Sequence, residues 1–181
     1  DLATFGPVDG FSCGYSRVDI LTGRYNHEPD LGAIVSTIEA LEVPVVAALH
    51  GRSLGAAVEL ALGAHWRIGA RDSQIGFPEV MSYGVIPTDG GSQRLPRLVG
   101  IESAVDLLSS GRLMTAEEAL ELGLLDELLP ALGTWKWSAS SSRPDATAQQ
   151  RSSVEWLSAA ESFAETAAAR AKAEPGSLAT R

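Results

Sequence analysis

The pattern of apolar and polar positions predicts short helices alternating with short strands in the first half of the chain. Over residues 31–41 apolar side chains recur at helical spacing, and Asp30, just before them, is a residue type that caps helices. The β-branched apolar run at 43–49 predicts a buried strand. Small residues at 55–63 predict a second helix, and residues 66–70 predict another strand.

Further along, glycines and prolines interrupt the pattern before helical spacing returns. Residues 72–93 predict mostly loop with short extended pieces. Residues 101–109 show helical spacing, and Thr115 with Glu118 forms a capping box at the start of another helix. The apolar run 124–129 then ends at a proline. Short strands that alternate with helices in this way indicate an α/β fold.

Composition divides the chain into three parts. We predict a core domain over residues 1–130, a linker rich in small and polar residues over 131–153, and a helical segment over 154–181. The helical segment has one narrow apolar stripe, which predicts that it docks on another surface. The residues of the stripe are Trp156, Leu157, Ala160, Phe163 and Ala167.

Composition and charge exclude several classes of protein. The 181 residues are 45% apolar and 20% charged, which is typical of one folded domain and not of a disordered chain. The net charge of −9 has the wrong sign for a protein that binds nucleic acids or anionic membranes. A single cysteine, Cys13, excludes an internal disulfide and a cysteine zinc site. No apolar run approaches the roughly 20 residues that a membrane-spanning helix needs.

The N-terminus, the single cysteine and the histidines bear on the cellular compartment and on metal binding. The N-terminus has no export signal and the chain has one cysteine, which together predict a cytoplasmic protein. The chain begins at Asp1 instead of Met, as a processed chain or a part of a longer one does. His27, His50 and His65 share no metal-ligand spacing, so we predict no metal site.

The segment Gly51–Glu59 follows a predicted strand and opens a predicted helix. The first N–H groups of a helix have no partner within the helix and attract negative charge. Small residues at 55–57 allow a ligand to approach this backbone. One interpretation is an oxyanion hole, in which N–H groups face a developing negative charge, and the other is close packing of the helix on the strand. The Gly-Lys-Ser/Thr ending of a nucleotide-binding loop is absent from this segment.

Three carboxylates near this segment are candidates for acid–base chemistry. Glu59 lies among apolar residues on the small-residue helix, and Glu79 follows Phe77 and Pro78 in what we predict to be a rigid extended turn. Two carboxylates that converge on one pocket can divide into acid and base, whereas the alternative is that each is a solvated surface residue. Asp89 precedes a Gly-Gly pair, where it is either a third functional carboxylate or an ordinary turn residue.

Six stretches of the chain match, in order, the motifs of one known family. They are Phe11–Gly14, Val43–Gly51, Leu54–Glu59, Phe77–Glu79, Gly84–Gly100 and Gly111–Glu127. Through them the chain resembles, from residue 11 to about 130, the crotonase family, which is the enoyl-CoA hydratase/isomerase superfamily. The resemblance implies a spiral of β-β-α turns, in this chain apparently lacking the first strands, with a C-terminal helical segment.

The same resemblance implies a site for acyl-CoA thioesters in which two backbone N–H groups stabilise an enolate-like anion. By position these N–H groups belong to Tyr15 and Ala56. The hydratases of the family use two glutamates that lie 20 residues apart, and Glu59 and Glu79 match that spacing. Further substrate-binding residues implied by position are Cys13, Gly14, Gly55, Pro78 and Gly84.

Three functions remain open at this point. The first is the addition of water to a 2-enoyl-CoA, or its removal, with one glutamate activating water for attack on C3 and the other protonating C2. The second is double-bond isomerisation, with Asp89 or one glutamate moving the proton. The third is a non-catalytic crotonase-like protein for binding or assembly, which the missing first strands and the bulky Tyr15 favour.

The resemblance also implies the partners of the chain. These are an acyl-CoA thioester and further copies of the same chain, in a trimer or a hexamer. Coenzyme A enters as part of the substrate, so we expect no separate cofactor, and we expect no nucleic-acid or membrane partner.

Overall fold

The computed structural model describes residues 29–131 and 146–173, with side chains described over 29–131 and 158–173. In chain order the helices and strands are α1 (Leu31–Glu39), β1 (Val46–Leu49), β2 (Arg52–Leu54), α2 (Ala56–Leu62), β3 (Trp66–Ala70), β4 (Gln74–Gly76), α3 (Glu79–Tyr83), α4 (Gly91–Val99), α5 (Ile101–Ser110), β5 (Leu113–Thr115), α6 (Ala116–Glu121), β6 (Glu127–Leu129) and α7 (Ala146–Ala173). The helices predicted at 31–41, 55–63 and 101–109 are confirmed, with slightly different ends.

The strands form two small sheets, and the chain passes repeatedly from one to the other. One sheet has the order β1–β3–β6 and is parallel throughout, and the other has the order β2–β4–β5 with β5 antiparallel. Two successive repeats, β1–β2–α2 and β3–β4–α3, form the predicted β-β-α spiral. Because β2 and β4 are parallel neighbours, their ends at Leu54 and Gly76 are paired, and α2 and α3 begin just beyond this shared edge.

Tight turns join the two sheets, and hydrogen bonds link the turn of one repeat to the next repeat. Gly51 connects β1 to β2 with a φ of +53°, a conformation that favours glycine. Its carbonyl accepts a 2.7 Å hydrogen bond from the N–H of Gln74 at the start of β4. In the corresponding turn after β3, the buried Ser73 hydroxyl donates to the carbonyl of Leu49 at 3.3 Å. The spacing between successive repeats is therefore fixed by hydrogen bonds as well as by packing.

The main hydrophobic core lies between these sheets and the helices. Its fully buried large side chains come from strands, helices and two of the connections between them: Leu49, Val58, Ile75, Phe77, Leu95, Leu107, Met114 and Leu124. Burying one side chain of this size stabilises a fold by about 1.5–3 kcal/mol. The core thereby holds α2 and α4 against the strands at the positions from which they reach the candidate site.

The range 72–93 contains more helix than its glycines and prolines predict. Glu79 is the first residue of α3 and does not lie in a rigid extended turn, so that prediction is wrong. A helix of only five residues is too short for apolar periodicity to reveal. It ends at Gly84, which has a φ of +69° and forms a left-handed cap. α4 also begins within this range, at Gly91.

Helix α7 packs on the parallel sheet. Ala159, Ala160 and Phe163 contact the cluster formed by buried residues of β3 and β6. The predicted docking of the apolar stripe thus takes place, for these residues, on the chain's own sheet. The helix begins at Ala146, inside the range predicted to be linker, because alanine and glutamine there are strong helix formers. Within the described ranges, no helix is both long and apolar enough to cross a membrane.

Candidate active site

The start of α2 is shaped by a glycine. Gly55 has a φ of +60° and a ψ of −128°, and its N–H donates a 2.9 Å hydrogen bond to the carbonyl of Gly76. Its own carbonyl accepts the N–H groups of Val58 and Glu59. Ala56 and Ala57, the first two residues of the helix, make no N–H hydrogen bond with the described part of the chain. These are the donors that a helix start leaves open for an anion.

Glu59 is a buried carboxylate held by a neighbouring turn. Its side chain lies on α2 and the residue is 2% exposed. One oxygen, Oε1, accepts hydrogen bonds from the N–H groups of Asp89 and Gly91, each at 2.8 Å. Gly91 opens α4, and a Cβ there would lie 2.9 Å from Oε1 of Glu59 and 3.0 Å from the side chain of Pro87. Glycine at position 91 therefore permits the contact.

The surroundings of Glu59 bring its titration to neutral pH. The pKa of Glu59 is raised to about 7. Burial is the largest cause, and the N–H of Gly91 opposes it by favouring the charged form. The negative charges of Asp89 and Glu79 contribute to the raised pKa, while the N–H of Asp89 opposes it. A carboxyl group that titrates near neutral pH can both accept and donate a proton under physiological conditions.

Glu79 approaches the start of α2 from the other side. It lies half-buried on the first turn of α3, and a Cβ added at Gly55 would collide with its Oε1 and lie 3.1 Å from its Cδ. Its Oε2 is buried without a hydrogen-bond partner among the described residues. Burial raises the pKa of Glu79, its own N–H lowers it, and the charge of Asp89 raises it. A carboxyl group with a raised pKa and one buried oxygen without a partner among the described residues is a candidate for acid–base chemistry.

Asp89 lies in the turn that holds Glu59. Its N–H is one of the two donors to Glu59, and its charge raises the pKa of both Glu59 and Glu79. Its backbone also rests near α1, because a Cβ at Gly32 would lie 3.9 Å from the Cα of Asp89. The three carboxylates therefore form one electrostatically coupled group.

The structure gathers most of the residues predicted for the site that lie in the described ranges. Gly55, Ala56, Glu59, Glu79 and Asp89 lie around the start of α2. Pro78 and Gly84 are the residues that flank α3 on either side. The predicted residues Cys13, Gly14 and Tyr15 lie outside the described residues. Over 29–131 and 158–173, no three His, Cys, Asp or Glu side chains are grouped as metal ligands.

Sequence reasoning missed the partner of Glu59. The two N–H donors belong to the turn that leads into α4, 30 and 32 residues along the chain from the carboxylate that they bind. A signal was present, since paired glycines at a helix start leave room for a close contact with an anion. The glutamate among apolar residues and the Gly-Gly pair are each visible in the sequence, but neither pattern shows that they meet.

Comparison with known sequences gives one family. The family model described as "Enoyl-CoA hydratase/isomerase" matches residues 11–141. The peroxisomal bifunctional enzyme of Cavia porcellus is 50% identical over 99 residues, which are 55% of this chain and 14% of that protein. The protein of the same name from Danio rerio is 43% identical over 120 residues, covering 66% of this chain and 16% of the relative. This chain therefore spans about a seventh of the length of these curated relatives.

Solved structures that are similar to this chain indicate the same family as the sequence comparison. The enoyl-CoA hydratase of Thermoplasma volcanium is 29% identical with a TM-score of 0.62, over 96% of this chain and 75% of that one. The enoyl-CoA hydratase of Bacillus anthracis is 27% identical with a TM-score of 0.58, over 90% of this chain and 56% of that one. Both sequence and fold therefore lead to the same family.

Proposed function

The chain belongs to the enoyl-CoA hydratase/isomerase family, and on that premise we propose that it adds water to a 2-enoyl-CoA thioester, or removes it in the reverse reaction. Glu59 and Glu79 act as the acid–base pair in this proposal. The observation that carries it is that both carboxylates lie by the first turn of α2, close enough for the charge of Glu79 to act on Glu59. Glu79 lies against Gly55, which directly precedes the open N–H of Ala56, and Glu59 lies one turn along the same helix.

The thioester oxygen binds at the start of α2. Negative charge develops on this oxygen when C3 of the enoyl group is attacked, and a backbone N–H aimed at such a charge typically contributes about 2.7–4 kcal/mol. The N–H of Ala56 makes no hydrogen bond within the described ranges and supplies one donor. By family resemblance the second donor is the N–H of Tyr15, with Cys13, Gly14, Gly55, Pro78 and Gly84 lining the substrate.

The two glutamates move the protons. One carboxylate takes a proton from water as the oxygen of water forms its bond to C3, and the electron pair of the double bond moves towards the thioester carbonyl. The protonated partner then gives its proton to C2 of the enolate. One proton leaves water and one enters C2, so the pair as a whole ends with the number of protons that it held at the start.

The pair must therefore hold one proton near neutral pH. Burial supports this for Glu59, whose pKa is raised to about 7, and burial also raises the pKa of Glu79. The charge of Glu79 contributes to the raised pKa of Glu59, which disfavours a doubly ionised pair. The third carboxylate, Asp89, disfavours it further.

Isomerisation is the second candidate, and the position of Asp89 is the observation that favours it. Its charge acts on both glutamates, so a proton taken from one carbon of an enoyl-CoA has a third carboxylate near its path. The same N–H donors would hold the enolate-like anion in this reaction. The first step removes a proton from one carbon of the enoyl group instead of adding water to C3, and the second step returns that proton to another carbon, so no atom is gained or lost.

Self-association in a trimer or hexamer belongs to the same proposal. Three apolar side chains support it by their exposure: Met81 is 75% exposed, Ile101 75% and Val105 60%. Large apolar side chains with this much exposure favour burial against another surface. Sedimentation velocity at micromolar concentration tests the expectation, since a single monomeric species would contradict it. The cytoplasmic location stays a prediction.

The absorbance of the conjugated enoyl thioester tests the proposed reaction. Hydration removes the conjugated double bond, so we expect the absorbance to fall when the protein is added to a 2-enoyl-CoA. A fall in absorbance without formation of a 3-hydroxyacyl-CoA would instead support isomerisation, because moving the double bond to C3–C4 also breaks its conjugation with the thioester. An unchanged spectrum, with acyl-CoA binding intact by calorimetry, would support the non-catalytic alternative.

A further inference from the structure

The turn that holds Glu59 is braced from outside the site by an ion pair. Arg94, on the first turn of α4, has a side chain that is only 14% exposed. Its Nε and Nη2 donate to Oε2 of Glu39 at 3.2 Å and 2.7 Å, and Nη2 also approaches the hydroxyl of Ser36 at 3.4 Å. Glu39 is the last residue of α1. This two-donor contact therefore ties the start of α4 to the end of α1.

The guanidinium group also covers the turn itself. A Cβ at Gly90 would collide with Nη1 of Arg94 and lie 3.2 Å from its Cζ, so the side chain lies directly on the backbone at Gly90. Gly90 stands between Asp89 and Gly91, whose N–H groups are the two donors to Glu59. Gly90 has a φ of +104°, a conformation reserved almost entirely for glycine. The turn is thus enclosed between the Arg94 side chain and the Glu59 carboxylate.

We propose that Arg94 is a positioning residue that acts on Glu59 through the backbone of residues 89–91, with Glu39 as its anchor. The effect on catalysis rests on the proposed function, whereas the effect on the Glu59 carboxylate does not. Arg94 touches neither carboxylate of the pair and has no part in moving protons. It keeps the two N–H donors at hydrogen-bond distance from Oε1, and so fixes the direction in which Glu59 points.

The positioning role can be separated from a simple effect of charge, because the two predict opposite changes in the pKa of Glu59 for the variant Glu39→Ala. Glu39→Ala removes a negative charge, which by field alone lowers the pKa of Glu59 or leaves it unchanged. If the ion pair with Glu39 holds Arg94 in place, the same variant frees the Arg94 side chain and loosens the turn at residues 89–91. The N–H groups of Asp89 and Gly91 lower the pKa of Glu59, so their loosening raises it. The other charges that act on Glu59, Asp89 and Glu79, are the same in both proteins.

The experiment follows the titration of the Glu59 carboxyl carbon by NMR of protein labelled in its glutamate carboxyl groups, with Glu59→Gln to assign the signal. We expect the acid dissociation constant of Glu59 to fall about three- to tenfold in Glu39→Ala and in Arg94→Met. Glu39→Gln keeps an oxygen that accepts from Arg94, so we expect it to restore a titration close to that of the unmutated chain. With enoyl-CoA as substrate, kcat/KM falls about tenfold in the first two variants.

Arg112→Met is the matched control. Arg112 has an ion pair of similar quality, at 2.8 Å to Asp106 and 2.7 Å to Glu118, and we expect its removal to leave the titration of Glu59 unchanged. An unchanged or lowered pKa of Glu59 in Glu39→Ala would overturn the positioning role. Should Arg94→Met fail to fold, Glu39→Ala still decides, because Glu39 is 47% exposed at a helix end. An unmutated chain without turnover but with the expected titrations would count against the proposed function alone.

Discussion

The carboxyl group of Glu79 lies against the α-carbon of Gly55, so close that a Cβ at position 55 would stand 3.1 Å from its Cδ and collide with its Oε1. Gly55 belongs to the start of α2 and Glu79 to the start of α3, and the paired ends of β2 and β4 bring these two helix starts together. The absence of a side chain at position 55 therefore sets how near Glu79 comes to the open N–H groups of α2.

Replacing Gly55 and, as a control, Gly100 distinguishes displacement of the Glu79 carboxyl group from strain in the backbone. Gly55→Ala is expected to displace the Glu79 carboxyl and to lower kcat/KM by at least about tenfold. Gly100→Ala is the control, because Gly100 also has a positive φ, +81°, but nothing lies within 4 Å of its added Cβ. Both glycines have a positive φ outside the left-handed helical region, so both variants should lose about 1–3 kcal/mol of unfolding free energy in urea. Equal losses of activity in the two would contradict a specific role of Gly55.

The backbone at Ala56 gives a second prediction. Ala56→Gly keeps the N–H and should change turnover little. Ala56→Pro removes the donor at the first helical position, where proline is best tolerated, and should lower kcat by about 10²–10³. Circular dichroism checks that the variant is folded. A folded proline variant with unchanged enoyl-CoA turnover would show that the oxyanion is bound elsewhere.

The raised pKa of Glu59 predicts how stability depends on pH. The folded pKa is about 7 against a reference value of 4.5, so the folded state holds the proton more tightly than the unfolded state does. This contribution to stability is complete below pH 4.5 and is lost as the pH rises to about 7. Relative to the unmutated chain, Glu59→Gln should therefore gain about 3 kcal/mol of unfolding free energy between these pH values. Urea titrations at several pH values measure it, and a pH-independent difference would contradict the burial of an ionisable Glu59.

Asp89 distinguishes hydration from isomerisation. Asp89→Asn keeps the backbone N–H that binds Glu59 but removes the negative charge that raises the pKa of both glutamates. For a hydratase we expect the acidic limb of the pH–rate profile to move to lower pH, with activity at its plateau largely kept. For an isomerase that uses Asp89 to move the proton, activity falls by about 10²–10⁴ at every pH.

The sequence predicts those elements whose signals are local. Asp30 accepts the N–H of Ala33 at 2.7 Å and caps α1. Thr115 accepts the N–H of Glu118 at 3.2 Å and caps α6, although the Glu118 side chain binds Arg112 instead of completing the capping box. Both caps depend on residues three positions apart, which is why a linear pattern reveals them.

Features that depend on contacts between distant elements could not be predicted in the same way. The sequence and the family resemblance select Glu59 and Glu79, but the N–H donors to Glu59 come from a turn that only the packing of α4 brings near. The ion pair between Arg94 and Glu39 forms only because α1 and α4 lie side by side. Helix α3 has five residues and no buried one, so it has no apolar periodicity to read.

The fate of the oxygen of water tests the central claim most directly. The chain is incubated with a 2-enoyl-CoA in water labelled with heavy oxygen, and the product is analysed by mass spectrometry beside Glu59→Gln, Glu79→Gln and the exposed control Glu102→Gln. We predict a 3-hydroxyacyl-CoA that carries one heavy oxygen, formed at least about 10²-fold more slowly by the first two variants and at the unmutated rate by the control. A product of unchanged mass, or full activity in Glu59→Gln or Glu79→Gln, would contradict hydration by this pair.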